Sequence, residues 1–212
     1  MKFLSLFFLL YFLINSIAAQ IAVEDEPLHH VLYEDAEIRI LEIVALPGDT
    51  AAMHQHNYNY CYIATAGGKM WLEDAGEEGR IVTLPTHYAG GKFELEKAPF
   101  VHRFANIDTA IISFFTIEHK VGVVTHDDIL PLPNDRIMTS ELFAIRKLSL
   151  PPLSARVLEH DGTAVLLNLS RNPLLHTESE HVAYWKRFDA QEKIQIHNMS
   201  EKEIIIALFE VY

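Results

Sequence analysis

Two histidines one residue apart are the part of this sequence best placed to do chemistry. They stand in the stretch Gly48-Asp-Thr-Ala-Ala-Met-His54-Gln-His56. Side chains on a strand alternate between its faces, so His54 and His56 share a face, roughly 6–7 Å apart along the chain. Two imidazoles so placed can share one divalent ion, because metal–nitrogen bonds are about 2.0–2.2 Å long. A third ligand must come from elsewhere in the fold. His102, in Pro99-Phe-Val-His102-Arg-Phe-Ala-Asn106, lies in another strand-like run and is the expected one. A single histidine on a strand is more often an ordinary core or surface residue, and His29, His30, His87, His119, His126, His176, His181 and His197 are read that way. Cys61 is the one cysteine, which excludes an intrachain disulfide; it is a buried apolar filler, the commoner case, or a reactive thiol.

The elements that must position these residues are strands. Residues 37–46 alternate polar and apolar before the Pro47-Gly48 turn, and residues 58–64, 69–73, 80–84, 92–96, 100–104 and 110–117 form further short runs. Gly, Pro, Asn or Asp separates them, which predicts an all-β sandwich or barrel rather than alternating strand–helix units. Residues 138–147 are ambiguous between helix and strand. Residues 121–138 are rich in Pro and Asp and read as a connection. Strand-like runs resume at 142–150, 155–159, 164–169, 181–186, 193–197 and 203–212. The halves look like diverged copies: at an offset of about 104 Leu46-Pro47 falls on Leu150-Pro151 and His56 on His160, and at about 92 Asn106 falls on Asn198.

Composition narrows the function. The chain has 212 residues, is half hydrophobic, and carries 17 basic against 29 acidic side chains for a net charge of −12. An acidic chain without a basic run does not suit phosphate backbones or anionic membranes, so nucleic acid and membrane surfaces are excluded as partners. Lys2, an apolar run from Phe3 to Ile14, and small residues at Ser16, Ala18 and Ala19 read as a secretory signal peptide. That run is too short to span a hydrocarbon core of about 30 Å. A secreted or periplasmic location is expected, with residues 1–19 as leader, 20–120 and 139–212 as two domains, and 121–138 as linker.

The spacing of Gly48, His54, His56 and Gly67 resembles the first motif of the cupin family, and His102 with Asn106 resembles the end of its second. The resemblance covers residues 37–118 well and 139–212 in outline. It implies two tandem double-stranded β-helix (jelly-roll) barrels, the first holding one divalent ion (Fe, Mn, Ni, Cu or Zn) through His54, His56 and His102. Two departures stand out. The motif's glutamate is replaced by Tyr60 or, with a longer gap, Cys61; strand parity favours Tyr60, read as a residue beside the metal rather than a ligand. The Pro-x-Gly element before the second motif's histidine reads Lys97-Ala98-Pro99 instead. In the second copy His54 becomes Leu158 and His102 becomes Ile194, leaving His160 alone, so that barrel is expected to be metal-free. Tyr58, Tyr60, Tyr62 and Trp71 are candidates for the lining, and Glu94, Glu96 and Tyr60 for acid–base work. The expected function is a small-molecule oxygenase or isomerase, or else a non-catalytic module for a small ligand or metal. A homodimer is compatible with the resemblance.

Overall fold

A computed structural model describes residues 20–121, 135–170 and 184–212. The expected leader, His126, His176, His181 and most of the expected linker lie outside the described residues. In chain order the first half forms β1 (Ile21–Ala22), β2 (His29–Glu34), β3 (Ile38–Ala45), β4 (His54–His56), β5 (Asn59–Ala66), β6 (Gly68–Asp74), β7 (Arg80–Leu84), β8 (Ala89–Lys92), β9 (Phe100–Asn106) and β10 (Ile112–His119). The second half forms β11 (Arg136–Thr139), β12 (Phe143–Leu150), β13 (Ser154–Leu158), β14 (Thr163–Asn168), β15 (Trp185–Phe188), β16 (Ile194–Asn198) and β17 (Ile204–Val211). Among the described residues a single 3-10 turn, Val23–Asp25, interrupts the strands.

The strands form four layers. In the first half the sheet β1-β4-β9-β6-β7 faces the sheet β2-β3-β10-β5-β8; in the second, β11-β12-β17-β14-β15 faces the two-stranded sheet β13-β16. Both inner five-stranded sheets place their last strand between their second and third, so the strand order recurs. Every pairing is antiparallel except the short β1–β4 contact. The fold is all-β, as the alternation predicts. Residues 138–147 are the end of β11 and the start of β12, joined by a turn at 140–142, and residues 136–138 of the expected connection belong to β11. The run at 92–96 is not a strand; its place is taken by β8 just before it.

Three apolar cores separate the layers. One lies inside the first half, with Leu41, Ile43, Phe104, Ile112 and Phe114. Another lies inside the second, with Leu148, Leu158, Ile194, Ile206 and Leu208. Between them the two inner sheets share a third core, where Ile38, Cys61, Phe115 and Ile117 meet Phe143, Ile145, Val165 and Phe209. Because β10 is covered on both faces, all eight of its residues are buried. That explains why large apolar residues stand side by side in its sequence, Phe114 facing the first half's core and Phe115 the shared one, instead of alternating.

Two glycines of the sequence motif have backbone reasons. Gly48 turns the chain between β3 and β4 with φ +89°, a region that disfavours side chains. A Cβ on Gly67 would sit 2.3 Å from the Leu84 carbonyl oxygen. The two asparagines singled out by offset do the same work. Asn106 Nδ2 donates to the carbonyls of Ala45 and Ala110, and Asn198 Nδ2 to those of Leu150, Pro151 and Lys202. Each thereby closes the turn before the last strand of its half.

Candidate metal centre

His54 and His56 lie on β4 with one residue between them, and both point inward, 0% and 3% exposed. Antiparallel pairing sets His102 of β9 directly opposite His54. The ring centroids of His102 are 4.4 Å from His54 and 5.3 Å from His56. The structure therefore brings the three sequence-predicted residues together. It also adds one that the sequence reading set aside as ordinary. His29, at the start of β2, reaches across from the facing sheet, its ring 4.4 Å from that of His54. The ligating nitrogens of His29, His54 and His56 lie within 4.8 Å of one another, so the tightest trio contains His29, with His102 adjoining it.

Three of these imidazoles are oriented by an acceptor on Nδ1. His54 Nδ1 donates to the Ala52 carbonyl at 2.8 Å, His29 Nδ1 to Glu26 Oε2 at 2.6 Å, and His56 Nδ1 to Glu118 Oε1 at 3.0 Å. Each bond places the proton on Nδ1 and leaves Nε2 with a free lone pair, the arrangement found where a carboxylate or carbonyl backs a metal-binding histidine. His54 Nε2 is buried without a hydrogen-bond partner among the described residues. Burial pushes His54 and His56 down to about 3, and the neighbouring His29 adds to it. Burial holds His102 well below the ordinary range too. These histidines are neutral at physiological pH, the form that coordinates.

Sequence reasoning missed the groups behind the histidines. Glu118 on β10 is fully buried between His56 and Arg39, whose guanidinium donates to Oε2 at 3.0 Å. Burial raises its carboxyl to about 7, and Arg39 pulls in the opposite direction. Burial also works to raise Glu26, but hydrogen bonds from His29 and the Leu28 amide outweigh it and hold the carboxyl below its usual range. The one signal for Glu118 in the sequence was a carboxylate ending an otherwise apolar run.

A cavity of about 240 Å³ opens onto the histidines. Tyr60 and Tyr62 line it, whereas Tyr58 packs under Arg39 and Trp71 against Arg103, both away from the cavity. The Tyr60 ring lies 4.6 Å from that of His56, and burial raises its phenol well above the usual range, so it stays protonated. Glu94 pairs with Lys97 at the surface and Glu96 accepts from Asn59, so neither expected acid–base candidate among the glutamates reaches the cavity. Asp74, Arg80 and Lys92 supply its charged groups. Cys61 faces the core shared by the two halves, where burial drives its thiol well up, as expected of a filler.

In the second half, Leu158 and Ile194 stand directly opposite one another on β13 and β16, as His54 and His102 do on β4 and β9. Both nitrogens of His160 are engaged, with the carbonyls of Gly162 and Glu192.

No protein-family model matches the chain, and no curated protein matches it. Solved structures do. AerE from Microcystis aeruginosa is 12% identical over 88% of this chain and 98% of its own, with a TM-score of 0.59. The bacterial pirin YhhW from Escherichia coli, in complex with nickel(II), is 12% identical over 86% of this chain and 90% of its own, with a TM-score of 0.54. A cupin domain from Bordetella pertussis is 19% identical, covering 48% of this chain and 97% of its own, with a TM-score of 0.40. The chain shares the fold of AerE and YhhW over most of its length and theirs.

Proposed function

We propose that this protein is an exported cupin with two tandem barrels that holds one divalent ion among His54, His56, His102 and His29, and acts on a small organic molecule as an oxygenase or isomerase. One observation carries the reading: His54 Nε2 is buried and, among the described residues, unpartnered, beside His29 and His56, whose Nδ1 atoms have acceptors. Leaving such a nitrogen dry and unbonded costs about 1–3 kcal/mol, a cost that a bound cation removes. An all-imidazole set suits Ni, Cu, Zn or Fe better than Mg or Ca. Nickel is the first ion to try, since YhhW was solved with it. Such an ion polarises a bound carbonyl or carboxylate and, where it is iron, supports chemistry with dioxygen.

The chain's own residues do the rest. Met70, Leu72, Val82, Leu84, Phe104 and Phe114 form an apolar wall that excludes water from the histidines. Tyr60, protonated, offers a hydrogen-bond donor beside His56. That donor, placed beside the histidines, favours turnover over simple capture. The apolar extent of the wall favours the second reading, a ligand-binding module. Two tandem barrels are supported by the recurring sheet order and by Leu158 and Ile194 at the positions of His54 and His102. Export rests on the composition of residues 1–19, and cleavage after Ala19 would leave β1 intact.

The test is elemental analysis of the mature protein, of a mass matching a start at Gln20, purified without chelator or affinity metal. About one equivalent of ion is expected, lost in His54→Ala and retained in His160→Ala. No bound ion after reconstitution with nickel, zinc and ferrous iron would overturn the reading.

A further inference from the structure

His102 differs from its three neighbours. Both of its ring nitrogens are buried, and neither has a hydrogen-bond partner among the described residues. Its ring is stacked on Phe100, centroids 4.6 Å apart and planes 20° from parallel, which fixes the plane of the imidazole without choosing its tautomer. A neutral imidazole always carries one N–H, so one unsatisfied donor is buried here along with one unsatisfied acceptor.

A complementary orphan stands directly across the sheet. Asp74, at the end of β6, is the register partner of His102 on β9, so the two side chains project from the same face of neighbouring strands. Asp74 Oδ2 accepts from Arg80 at 3.1 Å, but Oδ1 is buried without a partner among the described residues. Both residues line the cavity. An unpaired carboxylate oxygen and an unpaired imidazole N–H at opposed positions of one ladder are each costly alone and favourable together, directly or through one bridging water.

We propose that Asp74 is the positioning residue of His102: its Oδ1 takes the imidazole N–H, selects the tautomer, and turns the other nitrogen toward His54 and His56. Each of the four imidazoles then has its own acceptor: Glu26 for His29, the Ala52 carbonyl for His54, Glu118 for His56 and Asp74 for His102. Arg80 holds the second oxygen of Asp74, as Arg39 holds the second oxygen of Glu118. The pattern on β6–β9 thus repeats the pattern behind His56 on a different pair of strands. This inference rests on the metal-binding reading for its consequence, though not for the hydrogen bond itself.

Two measurements on full-length mature protein test it. The first follows the ring nitrogens of His102 by long-range proton–nitrogen NMR in the metal-free protein at neutral pH. A single tautomer is expected in the wild type, a mixture in Asp74→Ala, and a return toward one tautomer in Asp74→Asn, which keeps an acceptor oxygen. The second is nickel(II) affinity by competition titration. Asp74→Ala should bind about 10–100-fold more weakly, with Asp74→Asn between it and the wild type. A purely structural role would lower the thermal midpoint while leaving tautomer and affinity alone. Unchanged tautomer populations in Asp74→Ala, or a wild-type nickel affinity in that variant, would overturn the proposal. Should the wild type take up no nickel while Asp74→Ala still mixes the tautomers, the metal reading fails and the pairing of Asp74 with His102 stands.

Discussion

Glu118 shows how much of this site depends on residues that need not touch a ligand. It accepts from His56 on one oxygen and from Arg39 on the other, near the end of a strand with no exposed position. Glu118→Gln keeps the shape but offers one acceptor where two are required, and it presents an amide N–H to one of two donors. Metal affinity should fall about 10–100-fold, the usual effect of removing an outer partner; a nickel titration of wild type and variant reads it directly. His54, His56 and His102 were legible in the sequence because spacing on a strand fixes which face a side chain takes. Glu118, Glu26 and His29 were not. Their roles depend on which strand lies across from them, and a histidine doublet such as His29-His30 carries no spacing signal. The pairing of β2 with β3 sets His29 opposite Ile43, and only the packing of the two sheets carries its ring over to His54.

At the level of elements, the segment from β1 to β2 is a brace. β1 pairs alongside β4, and Glu26 accepts from the Ala52 amide as well as from His29. Arg39 on β3 fastens it further, bridging Glu24 in the 3-10 turn, Glu34 at the end of β2 and Glu118 on β10. Hydrogen bonds from Arg39 and then Lys120 pull the Glu34 carboxyl down to about 2, against 4.5 when unpaired. A carboxyl depressed in the folded state stabilises fully above the higher value and loses that contribution as pH falls toward the lower. The metal-free protein should therefore weaken between about pH 4.5 and 2. Glu34→Gln should be less stable than wild type at pH 7 and converge with it near pH 2, in denaturation curves taken across that range. The effect will be modest, because Glu34 is partly exposed and water screens it. Strands were legible where polar and apolar residues alternate, as in 37–46. They were hard to place at 138–147, where the turn Ser140-Glu141-Leu142 between β11 and β12 contains no Gly, Pro, Asn or Asp, and at β8, which contains Gly90 and Gly91.

The whole molecule is held by the core that its two halves share. Phe209 of β17 is fully buried there, its ring 5.6 Å from that of Phe115 of β10. Phe209→Ala should cost about 3–5 kcal/mol. Calorimetry should show one shifted transition, not the loss of one half and survival of the other. Tyr184, donating to Glu42, and Arg187, paired with Glu37, add polar ties across the same seam. β17 serves two masters by parity: Ala207, Phe209 and Val211 face the first half, while Ile206 and Leu208 face only the second half's own core. The second half is therefore not free to vary as a whole. Substitutions should accumulate on the face of β17 that packs into its own half's core and be purged from the alternate residues that pack against the first half. The strand's freedom to change is rationed one residue in two.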